Sequence, residues 1–114
     1  RHGRGVMKYD NGAEYDGEWQ HDMADGTGTY RWPDGDIYSG EWKKDVRHGT
    51  GIYRWSNDEV DVQHCEDDEF KGEGVRWSAD RKTAWRLING EKQSDITLQE
   101  AASIAERIGI SIPK

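Results

Sequence analysis

The residue types that could do chemistry in this chain are concentrated in one run, His64-Cys65-Glu66-Asp67-Asp68-Glu69. Zinc sites use such imidazole, thiolate and carboxylate groups, but their ligands converge from different turns, whereas neighbouring side chains of a strand point apart. A calcium loop needs acidic residues at alternating positions around a central glycine, which this run lacks. We therefore predict a solvated hairpin loop here, and we expect no metal and no other cofactor.

Four histidines could act in acid–base catalysis, namely His2, His21, His48 and His64. Two of them, His2 and His48, directly precede the first glycine of a recurring Gly-x-Gly pair, so they recur with the structure rather than gather at one site. The chain has no nucleophile elbow, phosphate loop or dinucleotide fingerprint, and the Gly-x-Gly pairs open strands rather than helix N-termini. We expect no catalytic residues, and therefore no enzyme.

The composition of the 114-residue chain restricts the class of partner. Lys and Arg number 16 against 23 Asp and Glu, which gives a net charge of −7 and disfavours nucleic acid and anionic lipid. The sequence contains no apolar run of the roughly 18 residues that span a bilayer and no signal peptide. The single cysteine, Cys65, agrees with a reducing compartment. We expect an intracellular protein, either cytoplasmic or associated with the cytoskeleton or an organelle.

A pattern that repeats every 23 residues predicts the fold. The segment Tyr15-Asp16-Gly17-Glu18-Trp19 recurs as Tyr38-Ser39-Gly40-Glu41-Trp42. Gly-x-Gly pairs keep the same step and begin at Gly3, Gly26, Gly49 and Gly72. Because side chains alternate along a strand, each segment places its aromatic residues and its glycine on one face. A fixed period of this length is typical of repeat proteins, whose stacked units share one core.

Each unit is expected to supply two antiparallel strands. Residues 20–25 and 43–48 are polar and lead into a glycine, which is typical of hairpin loops. The segments Asp10-Asn11-Gly12 and Pro33-Asp34-Gly35 predict tighter connections. We therefore predict a continuous antiparallel meander.

The pattern Gly-x-Gly, then five or six residues, Gly, then Tyr-x-Gly-x-Trp resembles the MORN (membrane occupation and recognition nexus) repeat. The resemblance is strong over residues 3–55, where two full copies of the Tyr-x-Gly-Glu-Trp core stand in register. It implies a mainly β fold, a single-layer twisted antiparallel sheet of stacked β-hairpins. It also implies recognition rather than catalysis, since such repeats serve as adaptors, as scaffolds at membrane or cytoskeletal structures, or as appendages to enzymes.

The third unit departs from the pattern. Where Tyr, Gly and Trp are expected, the chain has Asp61, Gln63 and Cys65. Because a one-residue slip exchanges the two faces of a strand, a shifted register would turn Val60, Val62 and His64 to the aromatic face. We expect this shift, because two valines suit an inward face better than Asp61 and Gln63 do.

The fourth unit is expected to lose one residue in the same way. Trp77 lies 22 residues after Trp55, whereas the regular step is 23, and the shift would turn Trp85 and Leu87 inward. In the regular units, a missing side chain between two aromatic residues leaves a slot that a ring of the adjacent strand can fill. Val62 and Trp85 are expected to fill the corresponding slots in the later units.

The last segment predicts a helix. The apolar residues Leu98, Ala101, Ala102, Ala105 and Ile108 follow helical spacing, and Ile104 widens the stripe. Residues 97–100 form a capping box, and Gly109 is a fitting C-terminal cap followed by Ile110. The helix and residues 110–113 are expected to cap the last apolar edge of the sheet, although a partner-binding helix is the alternative.

This pattern divides the chain into residues 1–93, a meander of about four units, and residues 94–114, the capping helix and tail. The first unit is incomplete and the last two are degenerate. Since the first unit starts at its second strand, either the chain is a fragment of a longer protein or that edge is exposed.

The aromatic face is the candidate binding surface, because Tyr and Trp commonly anchor protein interfaces. The candidate partner-binding residues are Tyr15, Trp19, Tyr30, Trp32, Tyr38, Trp42, Tyr53 and Trp55. The first hypothesis is a non-catalytic protein–protein interaction module or scaffold that binds a partner protein through this aromatic groove or a sheet edge.

Three alternatives remain open. A peripheral phospholipid-binding module would use two basic sets, Lys43, Lys44 and Arg47, and Arg76, Arg81, Lys82 and Arg86, although the net acidity disfavours it. The chain could instead be a regulatory or peripheral subunit of a larger enzyme or complex. An exposed first strand could also pair with a second copy to give an edge-to-edge homodimer.

Overall fold

The computed structural model describes residues 2–109 and shows one open nine-stranded antiparallel sheet with one helix. The strands are β1 Gly3–Lys8, β2 Glu14–Gln20, β3 Met23–Arg31, β4 Ile37–Lys43, β5 Val46–Arg54, β6 Val60–Glu66, β7 Glu69–Trp77, β8 Ala84–Ile88 and β9 Glu91–Ile96. The helix, α1, spans Leu98–Ile108. Strand order in the sheet follows chain order, so the prediction of a mainly β, single-layer meander followed by one C-terminal helix is confirmed.

Within a unit, the two strands are joined by a two-residue turn. The polar segments predicted as loops belong mostly to the strands, and only His21 and Asp22, or Lys44 and Asp45, lie between them. Both residues of each turn have positive φ, 51° and 64° in the first case and 49° and 72° in the second. Two successive positive φ values match the right-handed twist of the flanking strands, which makes the hairpin tight.

The connections between units are the longer ones, which corrects the expected order of loop lengths. Five residues separate β1 from β2, and five separate β3 from β4. Asn11 Oδ1 accepts a hydrogen bond from Ala13 N at 2.9 Å, and Asp34 Oδ1 accepts one from Asp36 N at 3.0 Å. These Asx turns reverse the chain before the next strand begins.

The glutamate of each regular Tyr-x-Gly-Glu-Trp segment stabilises a β-bulge. The register between β2 and β3 shifts after Gly17, so Glu18 alone faces the bulged part of β3. Its Oε1 accepts hydrogen bonds from Thr27 N at 3.0 Å and from Thr27 Oγ1 at 2.5 Å. Glu41 repeats the arrangement with Thr50 N at 2.7 Å. The repeated glutamate therefore satisfies a backbone donor that the bulge removes from the ladder.

The predicted slip of the third unit is wrong. Strand β6 pairs with β5 in the regular register, which keeps Asp61, Gln63 and Cys65 on the aromatic face. Val60 and Val62 lie on the opposite face and are fully buried there, while His64 on that face is exposed. The slip is unnecessary because the opposite face of β6 is also buried, so valines on it do not face water.

The fourth unit is predicted correctly only in part. Trp85 and Leu87 do lie on the aromatic face, opposite Arg76 and Gly74 of β7. Trp77 lies on the other face, where it pairs with Val60. The slots are not filled by Val62 and Trp85, because the side chain of Gln63 covers Gly74 instead.

Helix α1 packs on the second face of the sheet, over β6, β7 and β8, and not on the edge of β9. Its buried residues Ala101, Ile104 and Ala105 join a cluster with Val62, Val75, Trp77 and Ala84. The helix was expected to cap the last edge of the sheet. It instead covers part of the second face. The predicted tail segment at residues 110–113 lies outside the described residues.

The ends of α1 agree with the sequence signals. Thr97 Oγ1 accepts a hydrogen bond from Glu100 N at 3.0 Å, Glu100 Oε1 accepts one from Thr97 N at 3.2 Å, and Gly109 has φ 104°. Strand β9, absent from the prediction, crosses the expected boundary between residues 93 and 94, so the helical segment begins at Thr97. Within residues 2–109, no helix is long and apolar enough to cross a membrane.

Candidate functional site

The eight aromatic residues proposed as a contact surface divide by burial. Five of them are buried in the core, namely Tyr15, Trp19, Tyr38, Trp42 and Tyr53. The other three, Tyr30, Trp32 and Trp55, are half-buried. Buried rings of successive units meet edge to face, as for Tyr15 and Trp42, whose centroids are 5.4 Å apart. Such packing joins the units, so the buried five mainly support the surface and the half-buried three form it.

The polar ends of three buried rings are satisfied inside the sheet, whereas the buried hydroxyl of Tyr38 has no hydrogen-bond partner within residues 2–109. Trp19 Nε1 donates to the Gly5 carbonyl at 3.0 Å, and Trp42 Nε1 donates to the Gly28 carbonyl at 3.1 Å. The Tyr15 hydroxyl donates to the Glu18 carbonyl at 3.0 Å. Burial raises the pKa of Tyr15 to about 12. These groups are therefore neutral structural donors at neutral pH.

Asp36 is a buried carboxylate that the sequence analysis missed. Its Oδ2 accepts a hydrogen bond from the Tyr53 hydroxyl at 2.6 Å, and its Oδ1 accepts one from Ser56 N at 2.8 Å. Burial, with the nearby Asp36 carboxylate, raises the pKa of Tyr53. The carboxylate links two successive connections between units. The equivalent position one unit earlier is Ala13, so the repeat itself gave no signal for it.

A row of aromatic rings runs across the strands on the aromatic face. It consists of Tyr9, Tyr30, Trp32, Tyr53 and Trp55, and we call it the aromatic row. Successive centroids are 6.0, 4.7, 5.4 and 4.5 Å apart. Tyr9 is 41% exposed and was not predicted. The period could have identified it, because Tyr9 lies 23 residues before Trp32.

A buried ion pair ends the aromatic row. The guanidinium carbon of Arg76 lies 4.9 Å from the centroid of the Trp55 ring. Arg76 donates to both carboxylate oxygens of Asp61, at 2.6 and 2.8 Å, and Gln63 Nε2 donates to Asp61 Oδ2 at 2.8 Å. These hydrogen bonds from Arg76 to Asp61 raise the pKa of Arg76. Asp61, which stands where the repeat has a tyrosine, thus places an ion pair with Arg76 at this position.

Aspartates of the two-residue turns line one side of the aromatic face. They are Asp22, Asp45 and Asp68, which recur every 23 residues. Asp45 Oδ1 accepts a hydrogen bond from Ala24 N at 2.6 Å, and Asp68 Oδ1 accepts one from Arg47 N at 2.8 Å. Each of these two turns is therefore hydrogen-bonded to a strand of the preceding unit.

An open cavity of about 390 Å³ lies between the first two turns and the aromatic row. Its walls include the rings of Tyr9, Tyr15, Trp19, Tyr30 and Trp42 and the carboxylates of Asp22 and Asp45. Aromatic faces beside carboxylates favour an amphipathic or cationic group.

The repeat pattern and the stacked hairpins identify the family. Residues 1–14, 15–37 and 38–60 match the MORN repeat, which is more than half of the chain. The chain belongs to the MORN repeat family. No curated protein matches the chain in sequence. MORN repeats are commonly modules that interact with proteins or membranes, and the family is typically non-catalytic.

The four arginines of the two predicted basic sets are each engaged by acidic side chains or carbonyls of the chain. Arg47 pairs with Asp68, Arg76 with Asp61 and Arg86 with Glu73. Arg81 donates to the carbonyls of Asp58, Ser78 and Ala79. The charges of these side chains are therefore balanced or bound locally, and the exposed cations of the two predicted sets are Lys43, Lys44 and Lys82.

Proposed function

We propose that this MORN repeat protein is a non-catalytic interaction module, and that the aromatic row holds a segment of a partner protein. The observation that carries the proposal is the row itself. Tyr9, Tyr30, Trp32 and Trp55 keep part of their rings in water although the core beneath them is already filled. Partly exposed Tyr and Trp on a rigid base are the residues that contribute most to binding energy at protein interfaces.

The proposal is tested with alanine variants of the row. Trp32→Ala and Tyr30→Ala should each weaken capture of a partner from the native source at least tenfold, since truncated interface anchors cost 2 kcal/mol or more. Trp85→Ala is the matched control, because Trp85 is a half-buried tryptophan on the same face beyond Arg76. Equal recovery with folded Trp32→Ala and Trp85→Ala would contradict the proposal.

Membrane binding is the second candidate, and it predicts a different result. The three exposed lysines of the predicted basic sets are few for binding to anionic lipid, where each basic residue contributes about 1 kcal/mol. We expect no flotation of the protein with vesicles that contain phosphatidylserine at physiological salt. Flotation that is lost in a Lys43→Glu, Lys44→Glu variant would favour the membrane instead.

A further inference from the structure

The two regular units, residues 15–37 and 38–60, are the first and the second unit from here on, and the second contains an internal example of a bound guanidinium. The guanidinium carbon of Arg47 lies 5.6 Å from the Tyr38 ring centroid and 5.1 Å from that of Phe70. Its Nε is 3.1 Å from Asp68 Oδ1, and its Nη2 donates to the Asp68 carbonyl at 2.5 Å. The aromatic face and the turn aspartate together form a site that fits an arginine side chain.

The first unit has part of this site without the bound arginine, because Arg47 itself, which is hydrogen-bonded to Asp68, stands where the second unit has Phe70. The position that Arg47 occupies is taken 23 residues earlier by Ala24, while Tyr15 and Asp45 stand where Tyr38 and Asp68 stand. The backbone is the same in both units. Ala24 N donates to Asp45 Oδ1 at 2.6 Å and Asp45 N donates to the Ala24 carbonyl at 2.9 Å.

The corresponding distances in the second unit confirm this equivalence. Arg47 N lies 2.8 Å from Asp68 Oδ1, and Asp68 N lies 3.1 Å from the Arg47 carbonyl. Because the two backbones match, the units differ here in the side chain that the strand presents to the turn. Ala24 ends at its Cβ, so it does not fill the space beside Tyr15 and Asp45 as Arg47 fills the space beside Tyr38 and Asp68.

That space is the cavity of about 390 Å³ on the aromatic face. Trp42, which stands in place of Cys65, gives it an aromatic wall that the second unit lacks. Asp22 adds a second carboxylate to the walls. A net charge of −7 on the whole chain also favours the approach of a cation.

We propose that this cavity binds an arginine side chain of the partner, in the manner in which the second unit holds Arg47. The inference rests on the proposed function, since the partner supplies the arginine. A guanidinium fits better than an ammonium, because it is planar, stacks on aromatic rings and directs several donors at one carboxylate. Asp45 is the paired anion, and Tyr15, Tyr30 and Trp42 are the aromatic walls.

The test uses a small probe and the whole chain. N-acetyl-arginine methylamide is titrated at low salt and followed by NMR at the amides of Ala24 and Asp45 and the indole N–H groups of Trp19 and Trp42. We expect saturable shifts at these groups. N-acetyl-citrulline methylamide has nearly the same shape without the charge and should bind at least tenfold more weakly. The lysine analogue should also bind more weakly than the arginine probe.

Two variants make the test specific. Ala24→Arg should fill the cavity as Arg47 fills its own site, and it should remove the saturable shifts at Trp19 and Trp42. Asp45→Asn keeps an oxygen for Ala24 N–H but removes the charge, so it should weaken the arginine probe several-fold and leave the citrulline probe unchanged. Asp95→Asn, on exposed β9, is the control and should change neither.

The outcomes separate this inference from the proposed function. Equal binding of the arginine and citrulline probes, undiminished binding by folded Ala24→Arg, or no saturable shift up to the solubility limit would overturn the arginine site. If Trp32→Ala weakens partner capture at least tenfold in that case, the interaction module stands without the arginine site. If the probe binds but the row variants retain the partner, the arginine site stands and the proposed groove falls.

Discussion

At the scale of single residues, a tyrosine and two glycines determine how closely the strands approach. The Tyr38 side chain lies across Gly40 of its own strand and Gly51 of the next one. A Cβ at Gly40 would lie 2.7 Å from the Tyr38 hydroxyl, and a Cβ at Gly51 would lie 2.5 Å from Tyr38 Cε1. Tyr15 covers Gly17 and Gly28 in the same way. The expected slot beside Gly17 and Gly40 is present, but the tyrosine two residues earlier in the same strand fills it, and not a ring of the adjacent strand.

We predict that Gly51→Ala lowers the free energy of unfolding by about 1–3 kcal/mol, because the new methyl group overpacks a filled site. Urea unfolding followed by tryptophan fluorescence would measure the loss. Tyr38→Phe removes the atom nearest to the new methyl, so the double variant should lose less than the sum of the single losses. Additive losses would show that the ring does not limit this position. Lys43→Ala, on an exposed side chain, is the neutral control.

At the scale of elements, helix α1 is held by both packing and charge. Ala101, Ile104 and Ala105 are buried on the second face of the sheet. Glu73 of β7 accepts hydrogen bonds from Arg86 at 2.8 Å and from Arg107 of the helix at 2.9 Å. The hydrogen bond from Arg86, followed by that from Arg107, holds the pKa of Glu73 below its usual value. The second face is apolar where the helix covers it and carries residues such as Thr29, Ser39 and Glu41 elsewhere.

We predict that Ile104→Ala costs about 2–5 kcal/mol of stability, since it opens a cavity between the helix and the sheet. Leu98→Ala is the matched control, because Leu98 is in the same helix but is 46% exposed. It should cost well under 1 kcal/mol. Urea unfolding of the two variants would measure both losses. A loss with Ile104→Ala as small as that with Leu98→Ala would mean that packing of the helix does not stabilise the sheet.

Sequence patterns identify the regular units because each has one buried face. In β2 and β4 the alternation of buried and exposed positions follows the tyrosine, glycine and tryptophan of the repeat. In β6, residues 60–63 are all buried, since α1 covers the second face. Alternation then carries no information about which face is which, and the two valines misled the assignment. The short turns were also hidden, because positive φ is uncommon outside glycine and a lysine such as Lys44 does not signal it in the sequence.

The sequence predicts that one face of the sheet is aromatic, but not which of its rings remain exposed and form the aromatic row. Periodicity gives the positions on one face, yet burial depends on the ring of the neighbouring unit that covers each residue. Cys65 illustrates this dependence, because it faces Phe70 whereas the larger Trp42 faces Arg47 and Trp19 faces Ala24. Trp42 with Arg47 is the largest of the three pairs, and the size of each pair depends on both strands, which one strand alone does not reveal.

At the scale of the whole molecule, the sheet is an elongated array. Its extents are 43, 25 and 22 Å, and each strand chiefly contacts its neighbours in the chain. Helix α1 is the exception, because it joins β6, β7 and β8. Stability in such arrays is close to a sum of local terms, so it should vary along the sheet.

We predict that native-state amide exchange is slowest in β6–β8 and fastest in β1 and β9, which are the two edges of the described sheet. Hydrogen–deuterium exchange followed by NMR would measure the gradient. Ile104→Ala should speed exchange in β6–β8 and leave β2 and β3 nearly unchanged. Uniform protection across the nine strands would indicate one cooperative unit instead.

The turn aspartates lie at regular intervals along the sheet. One unit of 23 residues advances the sheet by two strands, which is about 9.6 Å at the usual spacing between strands. A polyproline II segment advances about 3.1 Å per residue with three residues per turn, so such a chain lying across the strands passes one unit with every third residue and turns every third side chain to one side. Asp22, Asp45 and Asp68 would then meet the same side of such a chain. The period of the sheet therefore sets a three-residue spacing for the positions that a crossing segment presents to these carboxylates.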